Sequence, residues 1–271
     1  MHEPKAVENK FRNQILASLP GDELARLEPR LQRVDLDLRQ VLIDPDQPIE
    51  QVYFPESSVI SVLSLLSDGT AIETATVGWE GMVGLPLFLG VDRTPAQAFC
   101  QVQGDALRMD AASFREATRP GSGLSTILNR YTQALFTFLA QASACNGRHT
   151  VQERCARWLL LAHDRVGRNR FSLEQQFVSQ MLGVRRAAVL EMIGSLQSAG
   201  LIEYTDGQMT VKDRAGLEAA SCECYVIIQR EFARLLAGRE IPSPLEGTRF
   251  SENGKTTAGP GMPRGEGTDE G

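Results

Sequence analysis

The apolar residues of this chain change their period once, and that change limits the folds open to it. From Arg33 to Met109 the sequence runs as short β-rich stretches between turn signals; after Pro120-Gly121-Ser122-Gly123 it takes up helical spacing. Strands first and helices last predict an α+β chain rather than an alternating one. The strand runs are Gln51 to Phe54 before Pro55, Val59 to Leu63, Ala71 to Val77, and Ala98 to Val102 before Gln103-Gly104-Asp105. Asp68-Gly69 between two of them predicts a hairpin, because glycine tolerates the positive φ of a tight turn. Many short strands at this spacing fit a sandwich, roll or barrel.

Past Gly123, Leu128, Tyr131, Leu135, Phe138, Ala142, Cys145 and His149 alternate spacings of three and four, the seam of a helix that packs lengthwise. The expected partner is the same helix of a second copy, which makes this stripe a dimer interface. The alternative is a helix packed on its own strand domain. Asn146-Gly147 is expected to interrupt the helix. A second helix follows from about Val151 to Asp164, with Val151, Cys155, Trp158, Leu159 and Ala162 on one face and Arg154, Arg157 and Arg165 off it.

The whole chain has a formal charge of −6, which speaks against coating nucleic acid by bulk charge. The charge is uneven, however. Residues 148–212 carry 9 basic and 6 acidic side chains, whereas the segments on either side are net acidic. Only this middle segment is suited to approach an anionic partner.

Within it, Phe177, Val178, Met181 and Leu182 give a short helix its buried face. Gly183-Val184 makes a turn, and Val189, Met192, Ile193 and Leu196 point a second helix inward. Two helices across a glycine turn predict a helix-turn-helix, with Gly183 needed because a close corner has no room for a Cβ. Ala199-Gly200 closes the second helix, and Glu203 to Val211 reads as strand, Asp206-Gly207 turn, strand, a β-hairpin wing. In such a module the start of the second helix enters the major groove, which puts Arg185 and Arg186 against DNA. Arginine can donate two hydrogen bonds to guanine or pair with phosphate.

Residues 11–235 resemble the Crp/Fnr family of bacterial transcription regulators. LGVRRAAVLEMIGSLQSAGLIEY carries the best match, supported by VLIDPDQPIEQVYF and VGWEGMVGLPLFLG. The resemblance implies an N-terminal β-roll of the cyclic-nucleotide-binding, jelly-roll-like type over 11–120, a dimerisation helix over 121–147 and a winged helix-turn-helix over 148–238. It also implies a homodimer on a palindromic operator of double-stranded DNA, contact with RNA polymerase, and the roll as sensor.

The departures from the family pattern are specific. Nucleotide-binding members carry Gly-Glu-Leu, whose glutamate holds the ribose; here Gly84 is followed by Leu85. Arg93-Thr94 stands near the family's phosphate-binding pair, two or three residues early. Cyclic AMP is therefore not expected, and another small-molecule effector, or none, stays open. The family's iron–sulfur members need clustered amino-terminal cysteines, and the first cysteine here is Cys100. On the reading helix Arg186 keeps the family's first arginine while Ala187, Ala188 and Glu191 replace other contacts, so the operator should differ. Ser172 with Gln175 fits a capping box, yet the family register puts the cap at Glu174. In that register Gln175 and Gln176 contact phosphate.

Five scattered cysteines make a poor disulfide framework, so reduced buried thiols and no metal site are expected; Cys222 and Cys224 are too close for a zinc knuckle. His149, or His163 beside Asp164, lacks a nucleophile or metal at a recognisable spacing, so no enzyme is expected. No apolar run is long enough for a membrane span, and MHEPKAVENK lacks the layout of a secretion signal, so a cytoplasmic protein is expected. Residues 239–271, rich in glycine and proline, are expected to be a disordered tail. The competing function is a regulatory or scaffolding module that does not bind DNA, with a nucleotide-responsive β-roll.

Overall fold

The computed structural model describes residues 10–236, Gly238 and the strand pair 249–250 with 256–257. Helices α1 (Gln14–Ala17) and α2 (Gly21–Leu27) lead into β1 (Gln32–Leu36), β2 (Val41–Ile43), β3 (Gln51–Pro55), β4 (Val59–Leu65) and β5 (Ala71–Val77). After α3 (Leu85–Phe88) come β6 (Gln97–Val102), β7 (Gly104–Asp110) and α4 (Ala111–Ala117). The strands form two antiparallel sheets, ordered β1-β7-β3 and β2-β6-β4-β5, as expected of a roll. Leu36, Val52, Phe54, Ile60, Cys100 and Met109 are among the residues of its core. The hairpin at Asp68-Gly69 is present, with Gly69 at φ 83°.

Helix α5 (Gly123–Arg148) has 26 residues and is about 39 Å long. Ser122 caps it by accepting from the Ser125 amide, and the Glu23 carboxylate accepts from the Gly123 amide at the positive end of the helix dipole. It does not break at Asn146-Gly147; it runs through them to His149, where α6 (Val151–Val166) begins with a Thr150–Glu153 capping box. The stripe predicted for a partner helix faces this chain instead. Leu128, Tyr131 and Phe138 are buried and Leu135 and Ala142 half-buried, all packed against the chain's own core. The Tyr131 hydroxyl donates to the Met82 carbonyl.

The helical end continues through β8 (Arg170–Ser172), α7 (Gln175–Leu182), α8 (Arg186–Ser198), β9 (Ile202–Thr205), β10 (Gln208–Val211), α9 (Arg214–Ala219) and α10 (Cys224–Leu236). Helix α10 returns antiparallel along α5. At its start Gln141 Nε2 donates to Cys224 Sγ, and near its end the Phe232 ring lies 6.3 Å from that of Tyr131. β11 (Arg249–Phe250) pairs with β12 (Thr256–Thr257), so these four residues depart from the featureless tail expected; the rest of 239–271 lies outside the described residues.

Polar locks join α6 to the roll. Arg165 and Arg157, expected off the packed face, are both buried. Arg165 Nε donates to Glu80 Oε1 at 2.7 Å, and the Gly78 amide donates to the same oxygen at 3.2 Å. A Cβ on Gly78 would lie 2.7 Å from Arg165 Cγ, and one on Gly81 2.5 Å from the Tyr131 hydroxyl, so both glycines are required by close approach. Trp158 Nε1 donates to Glu73 Oε1 at 3.0 Å, and Trp79 Nε1 donates to the Asp164 carbonyl at 3.1 Å.

Removing one partner of a buried ion pair leaves the other charge stranded, so Arg165→Ala is expected to cost about 3–5 kcal/mol of stability; a denaturant midpoint equal to wild type would contradict this. Burial raises the pKa of Glu73 above the ordinary glutamate value, despite donors from Ser61, Thr76 and Trp158 and the charge of Arg165. A raised acid pKa contributes stability that is complete below the ordinary value and is lost as pH rises through the raised one. Glu73→Gln, which mimics the neutral form, should therefore gain on wild type in melting temperature as pH rises from acid to neutral. A constant difference would refute this origin.

Candidate nucleic-acid interface and effector cavity

Val178, Leu182, Val189, Met192, Ile193 and Leu196 are buried between α7 and α8, and Phe177 and Met181 are half-buried, so the predicted inward set packs as one unit. The corner is held by Gly183 at φ 63° and ψ 36°, with Ser179 Oγ donating to the Val184 carbonyl. A Cβ at Gly183 would meet nothing within 4 Å. Glycine is thus demanded by the left-handed backbone rather than by crowding, which corrects the reason expected from the sequence.

Arg185 is the N-cap of α8 and Arg186 its first residue; both are exposed. Among the described residues neither makes a side-chain hydrogen bond or ion pair. At 100° per residue, Arg186, Ala187, Leu190, Glu191 and Gly194 share one outward face, opposite the buried one. Ala187 and Glu191 are exposed, and Ala188 lies half-buried at the edge of that face. Sequence reasoning missed Leu190, which is 50% exposed in the middle of it. Its helical spacing from Arg186, four residues before it on the same face, was the available signal.

Gln176 is exposed and Gln175 half-buried at the start of α7. Glu174 is the N-cap, as the family register implied, and makes no side-chain cap bond. Ser172 lies in β8 and its hydroxyl accepts from Gln208, so the capping box does not form. Instead Glu174 pairs with Arg39 of the roll, whose guanidinium stands 5.6 Å above the Phe177 ring. Phe177 in turn stacks on Phe99 of β6 at 5.4 Å. The first helix of the pair is therefore seated on the roll.

The wing is present, with Asp206 and Gly207 at φ 50° and 74° joining β9 to β10. Both central residues are left-handed, the requirement of a type I′ turn. A third strand, β8, which the sequence did not reveal, completes the order β8-β10-β9. The Tyr204 hydroxyl donates to the Leu173 carbonyl and ties wing to helix pair.

Gly84, Leu85 and Thr94 line one cavity of about 210 Å³ between the roll and α5, together with Met82, Ala98, Leu135 and Leu139. Among the described residues no charged side chain lines it. Arg93 does not join them: its Nη1 donates to the Asp46 carbonyl at 2.7 Å on the exposed side. A larger open groove of about 560 Å³ runs beside Arg12, Trp79, Asp164 and Gln229, and contains none of the effector residues expected from the sequence.

His163 is fully engaged: Nδ1 faces Arg214 Nη1 at 2.7 Å and Nε2 faces Asn169 Oδ1 at 2.8 Å. Asp164 accepts from Arg214 and the Tyr225 hydroxyl. The cysteines are free and buried, as expected. Spacing along the chain pointed to no metal site, but the fold brings ligand atoms of Cys145, His149, Cys222 and Cys224 all within 4.8 Å of one another.

The family model of the Crp-like helix-turn-helix domain matches residues 153–220. No curated protein matches the chain in sequence. Its fold is similar to that of FixK2 from Bradyrhizobium japonicum, at TM-score 0.61 and 18% identity, covering 71% of this chain and 98% of that one. It is also similar to a crp/fnr-family transcriptional regulator from Eubacterium rectale, at 0.59 and 15%, covering 74% and 94%. A CRP-family regulator from Thermus thermophilus gives 0.57 and 17%, covering 70% and 96%. A Crp-like helix-turn-helix domain over residues 153–220, carried on a fold similar to those of solved Crp/Fnr-family regulators and with an exposed arginine pair at the start of its second helix, makes the chain a DNA-binding transcription regulator.

Proposed function

We propose that the chain acts in the cytoplasm as a homodimer on a palindromic operator. Each copy would lay the start of α8 in the major groove, with half-sites about 34 Å apart. The observation that carries this reading is the unengaged pair Arg185 and Arg186 at the start of an exposed helix face. Arg186 is assigned to a guanine edge and Arg185 to phosphate. Ala187 and Leu190 are suited to a thymine methyl, and Glu191 to a cytosine amine. Gln176, and Gln175 beside it, are assigned to phosphate. In the family's manner the bound dimer would contact RNA polymerase.

With the stripe from Leu128 to Ala142 used internally, the dimer face proposed is the side of α5 left open: Asn129, Gln133, Phe136, Ala140 and Ala144. Phe136 is 62% exposed at its centre, and small residues follow, which lets two helices approach closely.

The cavity beside Gly84 is the proposed effector site, and its lining favours an apolar molecule. A cyclic phosphate there would meet no cation, and its ribose no carboxylate. Ala98 lines the cavity, and Phe99, the next residue of β6, stacks on Phe177 of α7. Displacement of β6 by a ligand would thereby reach the reading head, provided the ligand binds one arrangement better than the other.

Arg186→Ala is expected to weaken specific operator binding by about 1–3 kcal/mol while leaving the dimer intact. Footprinting of operators selected from random DNA measures this, and undiminished protection by the variant would remove Arg186 from the interface. Phe136→Glu should give folded monomers by sedimentation, whereas Phe138→Glu should lower the melting temperature instead. The reverse pattern would return the interface to the internal stripe.

A further inference from the structure

The end of α5 carries a group of side chains that DNA binding does not use. Cys145 and His149 are one helical turn apart and so share a face. Cys222 precedes α10, and Cys224 is its first residue. The three cysteines are 0%, 4% and 0% exposed, and they cluster with one another apart from the main apolar core.

Cys145 Sγ lies 3.5 Å from Cys222 Sγ, and Cys224 Sγ lies 3.5 Å from His149 Nδ1. A tetrahedral zinc ion, with Zn–S near 2.3 Å and Zn–N near 2.0 Å, sets its ligand atoms about 3.5–3.8 Å apart. The surroundings are also those of a coordinating set. Glu223 Oε2 stands 3.2 Å from His149 Nε2, so a proton held there leaves the Nδ1 lone pair aimed at the cysteines. Gln141 Nε2 donates to Cys224 Sγ at 3.1 Å.

The charge balance points the same way. Arg157 is 7% exposed, and Nε of both Arg154 and Arg157 is buried without a partner. Among the described residues neither arginine pairs with a carboxylate. Three thiolates and a neutral imidazole around a divalent cation leave one net negative charge, which these guanidinium groups would offset.

We propose that Cys145, His149, Cys222 and Cys224 bind a thiophilic divalent cation of the zinc class. The set is closed, with four protein ligands, so it is structural or regulatory rather than catalytic. The ion ties the end of α5, where the chain passes to the DNA-binding helices, to the start of α10. Binding releases the thiol protons and stabilises the folded chain, which alone presents all four ligands.

The test is metal analysis of the full chain purified under reducing conditions, followed by replacement of the metal with cobalt(II). About one zinc ion per chain is expected, with the tetrahedral ligand-field and thiolate charge-transfer bands of cobalt after exchange. Cys222→Ser and His149→Ala should each lower the bound metal to below about a tenth of an ion per chain. His149→Cys should retain it, and so should Cys155→Ser, which lies outside the set. A chelator should lower the melting temperature of wild type and not that of Cys222→Ser. Purified chain that takes up neither zinc nor cobalt, or uptake that survives Cys222→Ser, would overturn the proposal. So would a Cys145–Cys222 disulfide in place of the metal.

Discussion

The buried pair of Arg165 and Glu80 governs how the two halves of the molecule meet. A guanidinium and a carboxylate removed from water are tolerable only when paired, and here Glu80 Oε1 receives both Arg165 Nε and the Gly78 amide, while Oε2 has no hydrogen-bond partner among the described residues. The pair holds α6 at a fixed height over the turn from Gly78 to Gly81, and the absence of side chains at the ends of that turn admits Arg165 and Tyr131. Once α6 is fixed, Trp158 reaches Glu73, Trp79 reaches the end of α6, and the helix pair that follows is seated against β6.

This seating gives α7 two tasks. It supports α8, which carries the exposed arginine pair, and it rests Phe177 on the outer side of the strand whose Ala98 lines the apolar cavity. Cavity wall and helix-turn-helix are thus one residue apart along β6. The same compactness brings α10 back along α5, and the cysteines of its leading end arrive beside Cys145 and His149.

Local features were legible in proportion to how far local chemistry dictates them. The hairpin at Asp68-Gly69, the strands around it and the wing turn at Asp206-Gly207 follow from residues that tolerate a left-handed backbone. The inward set from Val178 to Leu196 follows from helical period, and so did the outward position of Arg185 and Arg186. Period alone does not say what an apolar stripe faces. The residues from Leu128 to Phe138 satisfy a coiled-coil seam and an internal helix equally well, and the roll on one side and α10 on the other had already covered them. For the same reason Arg157 and Arg165, which lie off the apolar stripe of their helix, gave no sign that the packing buries them.

By itself the sequence determined the class of fold and the helix-turn-helix with its arginine pair, because each depends on residues close together along the chain. Tertiary structure alone decided which face of α5 is left exposed, that the cavity beside Gly84 is apolar, and that Cys145, His149, Cys222 and Cys224 meet. Those outcomes depend on segments far apart in sequence brought within a few ångströms by burial, and neither spacing nor composition carries that information.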